Sequence, residues 1–82
     1  MIKILFFASL KDQLKTASIE LPANENQRVD KLLENLSMRD PIWQKALSNS
    51  TLCVAVNQTM AAKTSLLKSG DEVAFFPPVT GG

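Results

Sequence analysis

The residues of this chain that could take part in chemistry are few, and they gather at its end. The last eight, Phe75-Phe76-Pro77-Pro78-Val79-Thr80-Gly81-Gly82, join two aromatics to two prolines and close on a glycine pair. Each proline fixes φ and lacks an N–H, so Pro77 and Pro78 cannot continue a central strand. Phe76, preceding a proline, is driven towards an extended conformation. Gly81 and Gly82 carry no Cβ and let another backbone or a ligand come close. Extended, residues 77–82 reach roughly 20 Å from the body that holds them. A terminal glycine pair alone is most often a frayed end. Here a stiff, uncharged, aromatic-anchored segment leads into it, which points to an end that something else must approach.

The rest of the composition argues against side-chain catalysis of the familiar kinds. There is no histidine and one cysteine, so a histidine triad and zinc sites built on those ligands are excluded. The three glycines, Gly70, Gly81 and Gly82, form no phosphate-cradling loop. Nine basic and eight acidic residues leave a formal charge of +1, too balanced for a nucleic-acid or anionic-membrane footprint. No apolar run nears the ~18 residues of a spanning helix. The opening Met1-Ile2-Lys3-Ile4 lacks the regions of a signal peptide, and a lone cysteine forms no internal disulfide. The expectation is a cytoplasmic chain with no membrane and no nucleic-acid partner.

The elements that must position the tail can be read in order. Ile2-Lys3-Ile4-Leu5-Phe6-Phe7 is rich in strand formers and alternates Ile2, Ile4 and Phe6 against Lys3, Leu5 and Phe7. Ala8 to Lys15 admits a short helical turn, and Thr16 to Leu21 a second strand ended by Pro22. Asn24 or Asn26 could cap the main helix. Val29, Leu32, Leu33 and Leu36 show the i, i+3, i+4, i+7 spacing of that amphipathic helix, with Asp30, Lys31, Glu34 and Asn35 towards solvent. Asp40-Pro41 opens a second, shorter helix through Ile42, Trp43, Ala46 and Leu47. Ser48-Asn49-Ser50 is a turn. Leu52 to Val56 reads as a strand, Asn57-Gln58 as a turn, Thr59-Met60 as a short return strand. Ser69-Gly70-Asp71 is a strong turn signal before the last strand, Glu72 to Phe76.

At 82 residues with 45% hydrophobic content this is one domain with a real core. The order predicts an α+β fold, a mixed sheet with the main helix on one face and the first and last strands adjacent in its middle. That is the β-grasp, or ubiquitin-like, topology, expected over residues 1–76, with 77–82 as a flexible C-terminal tail. So few helices cannot cover both sheet faces. The face away from the helix would hold Lys3, Leu5, Phe7, Cys53, Ala55, Ala74 and Phe76, too apolar for a solvated surface. Leu5, Phe7 and Phe76, joined by Met60, are therefore candidates for partner binding beside the root of the tail. Cys53 reads as a small packing residue.

Three stretches carry a family resemblance: Ile2-Lys3-Ile4-Leu5-Phe6-Phe7-Ala8, Ala55-Val56-Asn57-Gln58-Thr59, and Gly70-Asp71-Glu72-Val73-Ala74-Phe75-Phe76-Pro77-Pro78-Val79-Thr80-Gly81-Gly82. Together they resemble the small, sulfur-carrier subunits of molybdopterin synthase, almost end to end. Between them the helices match only in pattern, and Lys11 to Lys15 lacks a glycine often found there. The resemblance implies that the carboxylate of Gly82 is adenylated with ATP by an E1-like activating enzyme. A sulfur donor then makes a glycyl thiocarboxylate, which delivers sulfur to cyclic pyranopterin monophosphate. It implies that Pro77, Pro78, Val79, Thr80 and Gly81 thread a large subunit supplying the catalytic side chains, in a heterotetramer of two small and two large subunits. Phe7, Met60 and Phe76 match positions that contact partners in that family. No bound cofactor and no metal are implied. A sulfur carrier for thiamin synthesis and a ubiquitin-like protein modifier are the neighbouring readings.

Overall fold

The computed structural model describes residues 1–49 and 51–78. The expectations for Val79, Thr80, Gly81 and Gly82, and for Ser50 in its turn, lie outside the described residues. The elements are β1 (Ile2–Phe6), α1 (Ala8–Leu14), β2 (Ser18–Leu21), α2 (Val29–Ser37), α3 (Pro41–Leu47), β3 (Cys53–Val56), β4 (Thr59–Met60) and β5 (Glu72–Phe76). A 3-10 turn, Ala23–Glu25, links β2 to the segment before α2.

The strands form one sheet in the order β2-β1-β5-β3-β4. β1 and β5 are parallel and central, and every other pairing is antiparallel. This is the mixed β-grasp sheet that the element order predicts. The first and last strands can lie side by side in parallel only because the intervening helices carry the chain across the sheet.

The core lies on one side. Ile2, Ile4 and Phe6 of β1, Val54 of β3, and Val73 and Phe75 of β5 are buried against Val29, Leu32 and Leu36 of α2. Leu10 and Leu14 join them, so the short turn expected after β1 is a full helix that closes one end of the core. The ring of Trp43 meets that of Phe6 edge-on, with centroids 5.4 Å apart. The Arg39 guanidinium lies over the indole at 5.1 Å. Trp43 packs, as its sequence context suggests.

Some local expectations change. α3 opens as expected, with Asp40 Oδ1 accepting from Ile42 N at 2.7 Å and Pro41 at the start. Ile42 itself, however, is 61% exposed, because α3 turns only Trp43, Ala46 and Leu47 inward. Neither Asn24 nor Asn26 caps α2; Arg28 holds that position without a side-chain capping bond. Asn26 is buried instead, donating to Pro22 O at 2.7 Å and accepting from Asn35 Nδ2 at 2.9 Å. It ties the β2 exit to the middle of α2, and this draws Asn35 partly out of solvent.

The missing glycine has a physical consequence at the end of α1. Lys15 is the C-cap, at φ 52 and ψ 36 in the left-handed region, with its N–H donating to Lys11 O. A side chain with a Cβ costs roughly 1–2 kcal/mol in that conformation, and glycine is the usual occupant. Lys15→Gly is expected to raise stability by about 1 kcal/mol, read as a melting midpoint about 4–8 °C higher for a domain of this size. An unchanged or lower midpoint would mean that another contact of Lys15 outweighs the relieved backbone.

Candidate functional site

The open face of the sheet is built by strand alternation. Because Ile2, Ile4 and Phe6 are buried, Leu5 points to the other side, and the same logic applies to Ala74 between Val73 and Phe75. The registers then assemble a row across the sheet: Ser18 beside Leu5, Leu5 beside Ala74, Ala74 beside Ala55, Ala55 beside Met60. The next residues towards the tail continue it. Phe76 lies opposite Cys53, and Phe7 N donates to Phe75 O at 3.2 Å, carrying the parallel register one step past Phe6–Phe75. Phe7, one residue past the end of β1, therefore sits beside Phe76 of β5.

All four expected partner-binding residues thus lie on one face. Phe7 is 47% exposed and Met60 66% exposed, while Leu5 and Phe76 are half-buried by their neighbours. Cys53 is half-buried on this same face, its thiol 3.7 Å from Thr51 O. No helix among the described residues covers it. The result is an apolar surface with no intramolecular partner among the described residues, of the kind that marks an interaction site.

The root of the tail grows out of that surface. Phe75 is fully buried and stacks on Phe6 at 6.3 Å, anchoring the end of β5 in the core. Phe76 turns to the open face, Pro77 is half-buried, and Pro78 is exposed. One strand therefore joins core, open face and tail root in consecutive residues.

The same span is recognised by comparison. The ThiS family model matches residues 4–82. The chain belongs to the ThiS family. It is 43% identical over 82 residues to the molybdopterin synthase sulfur carrier subunit of Escherichia coli (strain K12), covering 100% of both chains. It is 39% identical over 82 residues to the protein of that name from Haemophilus influenzae, again covering 100% of both. The fold recurs in a chain of the solved complex of subunits 1 and 2 of molybdopterin-converting factor from Helicobacter pylori. There the TM-score is 0.69 at 21% identity, over 99% of this chain and 97% of that one. The resemblance to molybdopterin synthase sulfur carriers that the sequence motifs carry is thus matched over the full length.

The structure also explains two of this ThiS-family chain's motifs that carry no reactive group. Asn57 and Gln58 both take positive φ, 52° and 67°, and close the β3–β4 hairpin as a tight two-residue turn. Asn57 N donates to Glu72 O at 2.8 Å, Asn57 Oδ1 accepts from Glu72 N at 3.0 Å, and Asn57 Nδ2 donates to Asp71 Oδ1 at 3.0 Å. Asp71, buried, also accepts from Lys68 N at 2.9 Å through its other oxygen. Gly70 reaches φ +93 to make the turn, and its N–H donates to Met1 O. This latch fastens the hairpin carrying Met60 to the start of β5. Both turns are legible in the sequence but their bond is not, since residues 57 and 71 are joined only in three dimensions.

The latch has a pH signature. The hydrogen bond from the Asn57 side chain, then that from Lys68 N, hold the Asp71 carboxyl below its ordinary value of 3.8, against a smaller opposing effect of burial. A depressed folded-state pKa stabilises above the unfolded value, and the contribution disappears as pH falls through the folded one. Asp71→Asn is expected to cost about 2 kcal/mol at neutral pH, because its amide cannot accept from both donors. The gap to the parent protein should narrow below pH 3.8. Parallel denaturation curves from pH 7 to pH 3 test this; a gap independent of pH would remove Asp71 from the latch.

Among the described residues, no helix is long and apolar enough to cross a membrane. Among the same residues, no group of three or more His, Cys, Asp or Glu is placed to hold a metal.

Proposed function

We propose that this chain is the sulfur-carrying subunit of a molybdopterin synthase and that Gly82 bears the sulfur. The observation that carries this reading is the 43% identity to such a subunit over the whole of both chains. An apolar face continuous with the root of a glycine-ended tail supports it. The main-chain carboxylate of Gly82 attacks the α-phosphorus of ATP on an activating enzyme, releasing pyrophosphate and forming an acyl adenylate. A carboxylate is a poor electrophile, and the mixed anhydride supplies AMP as a leaving group. A hydrosulfide equivalent from a sulfur donor forms the C–S bond as the C–O bond to AMP breaks, leaving a thiocarboxylate.

The sulfur is a soft anionic nucleophile held at the end of a protein, so it cannot diffuse away. Threaded into a large subunit, it attacks a side-chain carbon of cyclic pyranopterin monophosphate, forming a C–S bond as the C–O bond of that carbon breaks and its oxygen leaves as phosphate or water. Water then cleaves the acyl–sulfur bond, leaving sulfur on the pterin and restoring the Gly82 carboxylate. Two deliveries build the dithiolene. The large subunit supplies the catalytic side chains, and the heterotetramer holds two carriers and two large subunits. Pro77 and Pro78 restrict the tail beforehand and reduce the entropy lost on threading. Leu5, Phe7, Met60 and Phe76 dock the carrier. One face serves both the activating enzyme and the large subunit, which makes the two complexes mutually exclusive.

Intact mass after incubation with activating enzyme, ATP and a sulfur source tests the first half. The expected gain equals replacement of one oxygen by one sulfur, and no gain overturns the carrier reading. Adding the large subunit and the precursor pterin should then yield molybdopterin. Loading without that product would point to a thiamin-type carrier, and lysine conjugates to a protein modifier.

A further inference from the structure

The open face is apolar at one end only. Its first row, at the start of β5, is Glu20, Lys3 and Glu72, set side by side because Lys3 pairs with Glu20 on β2 and with Glu72 on β5. Among the described residues, these are the only charged side chains that the five strands turn to this face. The next row, Ser18 to Met60, has no charge, and the last, with Phe7, Phe76 and Cys53, leads to the tail. The ion pairs among the described residues are Arg28–Asp30 and Lys31–Glu34, both at α2. Two carboxylates flank the one ammonium of Lys3, so the side chains of the row sum to a negative charge, and Lys3 closes on neither neighbour.

We propose that this row fixes the direction of docking and that the partner bears two cationic side chains to meet Glu20 and Glu72. This rests on the open face being the docking surface. Glu20 and Glu72 stand on strands two apart, so the cations sit roughly 10 Å from each other. The position between them, facing Lys3, is neutral or acidic. Glu72 lies four residues before Phe76, roughly 13 Å along the strand, which exceeds the Debye length of about 8 Å at physiological salt. The charges therefore act on one end of the face and leave the apolar end to short-range packing. Reversed docking would press the partner's cations onto Phe7 and Phe76, stripping water from them with no counter-charge. An apolar patch alone would tolerate either direction, and only one sends the tail into the partner.

Association kinetics with the large subunit, measured by stopped flow over a series of salt concentrations, test this. The double variant Glu20→Gln/Glu72→Gln should associate about tenfold more slowly at low salt, with a flatter salt dependence and a parental melting midpoint. Lys3→Gln should do the reverse, associating about two- to threefold faster, because it removes a charge that repels the partner's cations. Opposite signs from neighbouring positions would not arise from general damage to the sheet. If the double variant keeps the parental rate and salt slope while Phe7→Asp loses binding, the docking face stands and the charge row is overturned. If Phe7→Asp binds like the parent, the docking-face reading fails and this inference fails with it.

Discussion

Adding one alanine after Gly82 is expected to abolish sulfur loading and delivery while leaving the domain folded. The reacting group in the proposed mechanism is the end of the chain itself, so its position is set by the number of residues beyond the anchor at Phe75. One more residue moves the carboxylate roughly 3.5 Å and places a Cβ beside the acyl carbon, where Gly82 has none. Misplacement of reacting atoms by ~1 Å can already cost a hundredfold. A loss of more than about a hundredfold is therefore expected in both adenylation and pterin conversion. The melting midpoint should not move, because the buried core ends at Phe75. Intact mass and product yield read the chemistry, and thermal denaturation reads the fold. Loading at the parental rate would contradict the role of Gly82.

Phe7→Asp should remove docking with equally little harm to the fold. Phe7 projects from the open face at 47% exposure and adds nothing to the buried core. Its backbone, at φ -123 and ψ 159, holds the N-cap of α1 without any side-chain cap. Aspartate is among the residues favoured at such a position, so the substitution should leave stability equal or slightly higher. At the interface the effect is opposite. It deletes an aromatic anchor of the kind that dominates binding energy and sets a charge that must lose water against an apolar partner surface. A loss of about 3 kcal/mol, or roughly a hundredfold and more in affinity, is expected for both activating enzyme and large subunit. Titration calorimetry with each partner decides. Loss with only one of them would divide the face between two overlapping sites.

The legible parts of this fold are those written in local periodicity. The alternation of Ile2, Ile4 and Phe6, the spacing of Val29, Leu32 and Leu36, and the Asp40-Pro41 start of α3 each repeat a pattern that one element imposes on its neighbours in sequence. The less legible parts are choices between adjacent residues of equal hydrophobicity. Leu66 is 78% exposed while Leu67 is buried, because one bridge, Arg28 to Leu66, sets which of the two turns inward. Asn26 departs from its expected capping role for a similar reason. A cap and a buried joint use the same amide, and only the approach of Pro22 and Asn35 selects between them.

Residue types at short range are enough to settle the family, the order of strands and helices and the composition of the tail. Which side chains share a surface is settled only when the strands pair. Pairing sets Leu5, Phe7, Met60 and Phe76 on one face and places Glu20, Lys3 and Glu72 in a row. Packing of the hairpin against the start of β5 joins Asn57 to Asp71. Register makes those neighbours, and register is a property of paired strands that no single stretch of chain contains.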